Sequence, residues 1–210
     1  MDLPTAVDPA PTPPPPGDVR RRWDANAGWW DDRVGEGNAT QRTVVGPATE
    51  RLVGPVDGRH VLDLACGNGH FARRMADLGA RVTALDFSDT FLERARGRSA
   101  AYEGRIEFRS ADLTRAGDLD AVAPGAFDAA VCTMAFMDIE RIEPVFGAVG
   151  RAVVPGGPFV FSVTHPVFNQ TGATRGSEES DAEGRLEVRH YLRVDRYLTG
   201  GPHLGLGIAG

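Results

Sequence analysis

The chain contains no lysine. All 23 basic residues among its 210 are arginine. A P-loop nucleoside triphosphatase needs a lysine on its phosphates, and a pyridoxal phosphate or Schiff-base enzyme needs an amine nucleophile. Both classes are excluded. Cysteine is almost as scarce: Cys66 and Cys132 are too far apart for metal-ligand spacing and too few for a disulfide framework. No apolar run is long enough to span a bilayer and no secretory apolar region stands near the first residue, so the expected compartment is the cytoplasm. Positive charge is also in deficit. With 23 basic and 29 acidic residues the net charge is −6, which argues against a general nucleic-acid binder. The Arg20-Arg21-Arg22 triplet reads as one solvated helix turn.

What is present organises itself along the chain. "PAPTPPPPG", Pro9 to Gly17, cannot pack, and residues 1–17 read as a disordered or polyproline leader. Asp18 fits a helix N-cap for "VRRRWDANAGWWDD", and a second helix is expected from Asn38 to Leu52, closed by Gly54. Together they make a helical cap over 18–55. From Arg59 the chain alternates. Strands are expected at His60–Leu64, Arg81–Leu85, Arg105–Arg109, Phe127–Cys132 and Pro158–Thr164. Helices are expected between them at Phe71–Leu78, Asp89–Tyr102 and Glu140–Val153. Short apolar strands alternating with helices predict an α/β fold over 56–165: a doubly wound, mostly parallel sheet with right-handed crossovers.

The stretch "VLDLACGNGH", Val61 to His70, carries the first chemical signal. Gly67-Asn68-Gly69 falls between a strand and a helix, where glycines let a ligand approach the backbone and the helix N-terminus favours negative charge. Dinucleotide enzymes share such a turn. They place a glycine where this chain has Ala65, and Asp63 would face a pyrophosphate as a like charge. A ligand bearing both an ammonium and a carboxylate suits Asp63 and the helix N-terminus together.

"LDLACGNGHFA" resembles motif I of the class I S-adenosylmethionine-dependent methyltransferases, and the resemblance continues in order. "VTALDFS" is similar to the family's second strand, "FRSADL" to its third-strand motif, "FDAAVCTMAFMDI" to the fourth, and "RAVVPGGPFVFSV" to the helix, glycine turn and fifth strand. The match runs from Arg59 to Pro166. It implies a Rossmann-like fold and S-adenosylmethionine as cofactor. It also implies site roles: Asp63, Ala65, Gly67, Asn68, Gly69 and Thr133 about the cofactor, Asp86 on the ribose, and Phe87, Asp112 and the Leu113 amide at the adenine. Asp86 also reads as a plain strand-end acid, Phe87 as core and Asp112 as a turn residue.

Methyl transfer from a sulfonium is an in-line displacement, so alignment and exclusion of water are the main demands. The fourth strand ends in "CTMAFMD" and lacks the Asn/Asp-Pro-Pro-aromatic sequence of enzymes that methylate base amino groups. With an acidic single core, this predicts a small-molecule acceptor, O- or N-nucleophilic, in specialised metabolism. Asp138 and Glu140 have no third ligand at metal spacing, and no metal is expected. Trp23, Trp29 and Trp30 read as a lid over the methyl donor or an apolar acceptor, or as anchors of the cap on the sheet, with Met134 and Met137 on the acceptor side. His165 in "THPVFNQ", just past the fifth strand, is the candidate general base; a structural or merely exposed histidine is the plainer reading.

Residues 166–210 depart from the family. A polar loop, Thr171–Gly184, precedes the alternating "RLEVRHYLRVDRY" and the glycine-rich "HLGLGIAG". These predict a substrate-cap insertion, or a C-terminal hairpin formed by the last two. An incomplete sheet would leave its fifth strand open, and a homodimer or a chain unstable alone is expected. Three other functions remain open at this point. One is cyclisation or alkyl transfer from S-adenosylmethionine, which releases methylthioadenosine. Another is a cofactor-binding subunit that needs a partner. The last is a nicotinamide oxidoreductase, which Ala65 and Asp63 disfavour.

Overall fold

The computed structural model describes residues 18–115, 117–118, 122, 124–165, 173–182 and 184–194. The proline-rich leader (1–17) and "HLGLGIAG" lie outside the described residues. The chain divides into two compact units, Pro16–Val163 and a second that contains Thr164–Gly210.

The first unit is built on five short strands: β1 His60–Leu64, β2 Arg81–Asp86, β3 Ile106–Ser110, β4 Ala129–Thr133 and β5 Phe159–Ser162. Central strands such as "HVLDL" and "AAVCT" are apolar without a polar face, the pattern of strands covered on both sides. They pair in parallel in the order β3-β2-β1-β4-β5. Alternation sends side chains to opposite faces. Leu62, Leu64 and Cys132 join Val145 and Val149 of helix α5 (Glu143–Ala152) in one core. Val61, Val82 and Val131 join Phe71 and Met75 of α3 (His70–Asp77) and Val53 of α2 (Gly46–Val53) in the other. Truncating a fully buried member such as Leu64 to alanine costs about 2–5 kcal/mol. The strand order reverses between β1 and β4, and ligands of open α/β sheets bind outside the carboxyl ends at such a switch point.

Two helices complete the frame. Helix α4, Asp89–Arg98, starts at Ser88, whose extended backbone lets its Oγ accept from the Phe91 amide, the N-cap geometry that serine favours. Helix α1, Asp18–Val34, buries Ala27, Asp31 and Val34. The helix expected from Asn38 to Leu52 is present from Ala39 and opens into a π-helical turn at Gln41–Val45 before continuing as α2. Pro47 lacks an amide proton and its ring crowds the preceding turn. The wider turn, with the Gly46 amide bonded back to Gln41 O, relieves that. Strand β4 starts later than expected because Phe127 bridges to Val153 outside the sheet.

The second unit corrects the reading of Thr171–Gly184 as a loop. Residues Ala173–Ala182 form β6, paired antiparallel with β7, Arg185–Val194. Pairing overrides weak strand propensity: Glu178 stands opposite Arg189, and Gly176 lies under the ring of Tyr191. The turn is set by Gly184, in a left-handed conformation, donating to Asp181 Oδ1 at 2.6 Å. Among its described residues the hairpin buries no side chain.

Candidate functional site

A cavity of about 400 Å3 opens in the first unit, lined by residues that follow β1, β2, β3 and β4 and by the cap helices. Its floor is strained. Ala65 and Met134 are the only non-glycine residues with positive φ among those described, at 53° and 55°. They directly follow the adjacent strands β1 and β4, and both line the cavity. A left-handed backbone costs a residue with a Cβ roughly 1–2 kcal/mol, so both strand ends must be held from outside. The Met134 amide donates to Ser162 O and Oγ, both at 3.0 Å.

The two glycines of the "GNG" turn have different jobs. A Cβ on Gly67 would meet nothing within 4 Å, and Gly67 lines the cavity. A Cβ on Gly69 would stand 2.9 Å from Phe108 Cζ. Gly69 therefore lets α3 pack close to the sheet, and it is not among the residues that line the cavity. Asn68 and Cys66 complete the loop's share of the wall. Burial holds the Cys66 thiol well above its usual pKa, so it is no nucleophile.

Asp86 ends β2 in the cavity wall, 5% exposed. Its Oδ2 accepts from the Gly67 amide at 2.8 Å and its Oδ1 from the Ser88 amide at 2.9 Å. Burial pushes its pKa up to about 6, although backbone amides pull the other way. Asp63 is different. It is wholly buried, neither carboxylate oxygen has a hydrogen-bond partner, and it is not in the cavity wall. Desolvation first, then the charge of Asp86, pushes it up to about 8. An orphaned buried acceptor beneath the loop is a place prepared for a donor or a cation.

Phe87, Asp112, Leu113 and Thr133 all line the cavity. Asp112 also behaves as a turn residue, its Oδ1 accepting from the Thr114 amide and hydroxyl at 2.9 and 2.7 Å. The tryptophans separate. Trp23 and Trp30 line the cavity, their rings 5.7 Å apart edge to face. Trp23 also lies 6.0 Å from Phe91, and the Arg20 guanidinium sits 5.5 Å over Phe87. Helix α1 thus packs on the β2–α4 corner beside Phe87 and Phe91. Trp29 and Met137 are each 39% exposed and outside the wall; Trp29 stacks under Arg33 instead. His165 is exposed and falls in the second unit.

Sequence reasoning missed several wall residues: Gln41, Val45, His70, Phe71 and Asp138 as a cavity group. The signal for His70 was its place immediately after the glycine turn; for Gln41 and Val45 there was none, because a π-helical turn has no sequence pattern of its own. The cofactor implied by the family resemblance fits this chain. Space over Gly67, a strand-end acid at Asp86, apolar faces at Phe87 and Leu113, and the orphaned Asp63 match the parts of an amino-acid nucleoside.

Comparison with known proteins agrees. Residues 61–157 match a family model described as a methyltransferase domain. The ubiquinone biosynthesis O-methyltransferase of Alkalilimnicola ehrlichii is 30% identical over 146 residues, 67% of this chain and 57% of that protein. The demethylmenaquinone methyltransferase of Clavibacter sepedonicus is 37% identical over 113 residues, 54% of this chain and 44% of that protein. Among solved structures, an S-adenosylmethionine-dependent methyltransferase from Mesorhizobium loti is 35% identical with a TM-score of 0.59, over 74% of this chain and 66% of that one. The chain spans about half the length of the curated relatives it matches.

Proposed function

The chain belongs to the class I S-adenosylmethionine-dependent methyltransferases, and we propose that it transfers a methyl group from S-adenosylmethionine to an apolar small molecule bearing a hydroxyl nucleophile. One observation carries the reading: a single chamber is lined by the glycine loop, Asp86, Phe87 and Leu113 and also by the apolar side chains of Val34, Val45, Phe71 and Ile139. The curated relatives named above act, by their names, in the making of ubiquinone and menaquinone. Phenolic and quinol-like acceptors are therefore the first class to try, ahead of the specialised metabolites expected from sequence.

The cofactor, when bound, supplies an electrophilic methyl on a sulfonium. Asp86 would receive the ribose hydroxyls, Phe87 and Leu113 would offer apolar surface to the adenine, and Asp63 behind the wall would offset the positive head group. The apolar chamber excludes water and holds the acceptor in line. Asp138 is the proton acceptor in the wall. Asp138 lines the cavity with its side chain still exposed, and the protein around it holds its carboxyl above the usual range, toward the basicity of a general base. That role replaces the one given to His165. There is no helix among the described residues long and apolar enough to cross a membrane.

Incubating the purified chain with S-adenosylmethionine and a panel of phenols and quinols tests the reading. The expected product is S-adenosylhomocysteine formed in step with a methylated acceptor. Methylthioadenosine would mean alkyl transfer or cyclisation instead. Neither product, with the cofactor still bound, would favour a subunit awaiting a partner.

A further inference from the structure

One buried carboxylate fastens helix α1 to the glycine turn. Asp31 is 5% exposed. Its Oδ1 accepts from Arg98 Nε at 2.6 Å and from Asn68 Nδ2 at 3.0 Å, and its Oδ2 from Arg94 Nη1 at 3.1 Å. Burial would raise this carboxyl, but the bonds from Arg98, Asn68 and Arg94 outweigh it and hold the pKa below the usual range. Asp31 is therefore charged, paired and fixed.

Asn68 is the receiving side. It is 3% exposed and sits between Gly67 and Gly69, both with left-handed backbones at φ 53° and 75°. Glycines give a turn its freedom but not its rigidity. Every polar group of the Asn68 side chain is used to supply that rigidity. Nδ2 donates to Asp31 and, at 2.9 Å, to Gly35 O, while Oδ1 accepts from the His70 amide at 3.2 Å. The Asn68 carbonyl accepts from the buried Arg73 Nη1 at 2.8 Å. One carboxamide thus spans the end of α1 and the first turn of α3, with the cofactor loop between them.

We propose that Asp31 is a positioning residue for the cofactor loop, acting through Asn68. By fixing the carboxamide it holds the Gly67–Gly69 turn in the one shape that keeps the space over Gly67 open. Docking of α1 and shaping of the loop are then a single event, and a chain with α1 displaced has a loop that binds cofactor poorly. Asp31 is not among the residues that line the cavity. It lies on the face of α1 that carries Ala27 and Val34, four residues after one and three before the other, where a charge is unexpected unless something meets it.

The inference rests on the reading that this loop receives S-adenosylmethionine. Calorimetric binding of S-adenosylhomocysteine tests it, with melting temperature recorded for every variant. The parent is measured with Asp31→Ala, Asp31→Asn, Asn68→Ala and the double alanine variant. Asp31→Ala and Asn68→Ala should each weaken binding about tenfold or more, as expected when a site is misplaced by a fraction of an ångström. The double variant should be no worse than the weaker single, because both remove one linkage. Asp31→Asn keeps an acceptor for Asn68 but gives up the arginine pairs. It should melt lower yet bind within about twofold of the parent, the ordinary scatter of independent effects. Unchanged binding in Asp31→Ala, or losses that add in the double variant, would overturn the proposal. If Asp31→Ala does not fold, Asp31→Asn decides alone: weakening equal to that of Asn68→Ala assigns Asp31 a purely structural role. A parent that binds no S-adenosylhomocysteine overturns the functional reading and this inference together, and it is recognised before any variant is compared.

Discussion

The ends of β1 and β2 lie side by side at the carboxyl edge of the sheet, and each carries a buried aspartate. Asp86 at the end of β2 is held by the protein itself, with one oxygen on the Gly67 amide and the other on the Ser88 amide, and each oxygen keeps a further lone pair for a ligand. Asp63 on β1 has nothing. The same residue type, in the same kind of place, is in one case part of the loop's own framework and in the other an unpaired acceptor. A buried carboxyl without a partner is costly, and it survives here by holding its proton up to a pKa of about 8. The contrast separates what a binding site builds for itself from what it leaves for the ligand to complete.

Three substitutions sharpen or break that contrast. Asp86→Ala should have the largest effect, since it removes both a ribose acceptor and the anchor of Gly67. Losing hydrogen bonds to a charged group costs about 1.5–3 kcal/mol, or roughly 10- to 150-fold in dissociation constant for S-adenosylhomocysteine. Equal affinity in calorimetry would sink the ribose assignment.

Asp63→Asn should act through pH. Between the ordinary carboxylate pKa of 3.8 and about 8, the folded chain keeps a proton at Asp63 that the unfolded chain has released. Stability of the ligand-free protein therefore falls as pH rises through that window. Its melting temperature should drop by a few degrees or more from about pH 5 to about pH 8, at some 2–4 °C per kcal/mol for a chain of this size. Asp63→Asn should flatten the slope. Cofactor binding should also release a proton in the parent but not in the variant, read from calorimetry in buffers of different ionisation enthalpy. A slope that persists unchanged in the variant would assign it to another group.

Ser88→Ala should have the smallest effect. It removes the cap of α4 and the hydroxyl that donates to Asp24, at about 1 kcal/mol. The Ser88 amide still bonds Asp86, so melting should fall by about 2–4 °C while cofactor affinity stays nearly unchanged. A large affinity loss would mean that the β2 corner is less self-sufficient than its bonds imply.

The five-stranded parallel sheet was legible because its strands are short apolar runs broken by turns, and burial on both faces demands that composition. The motif residues were legible for a related reason: Gly67, Asp86 and Leu113 stand at fixed distances from strand ends. What α1 does was not legible. Its tryptophans suggested a lid over the methyl donor or an acceptor, or anchors of the cap, while its Asp24 and Asp31 carboxylates meet Ser88 at the β2–α4 corner and Asn68 of the glycine turn. Those contacts join residues some 37 to 67 positions apart, and no local pattern encodes them. Propensity misjudged β6 for the same reason, since its pairing partner β7 supplies what "ATRGSEESDA" lacks.

By itself the sequence determined the α/β class, the order of strands and helices and the position of the cofactor loop, because periodicity and turn chemistry are local. Tertiary structure alone decided which of two equivalent aspartates would be satisfied. It decided also that Gly69 would be packed against Phe108 while the space over Gly67 stays open, and that Asp31 would be buried against Asn68. Each of these depends on which atoms from distant parts of the chain arrive within hydrogen-bonding or van der Waals reach.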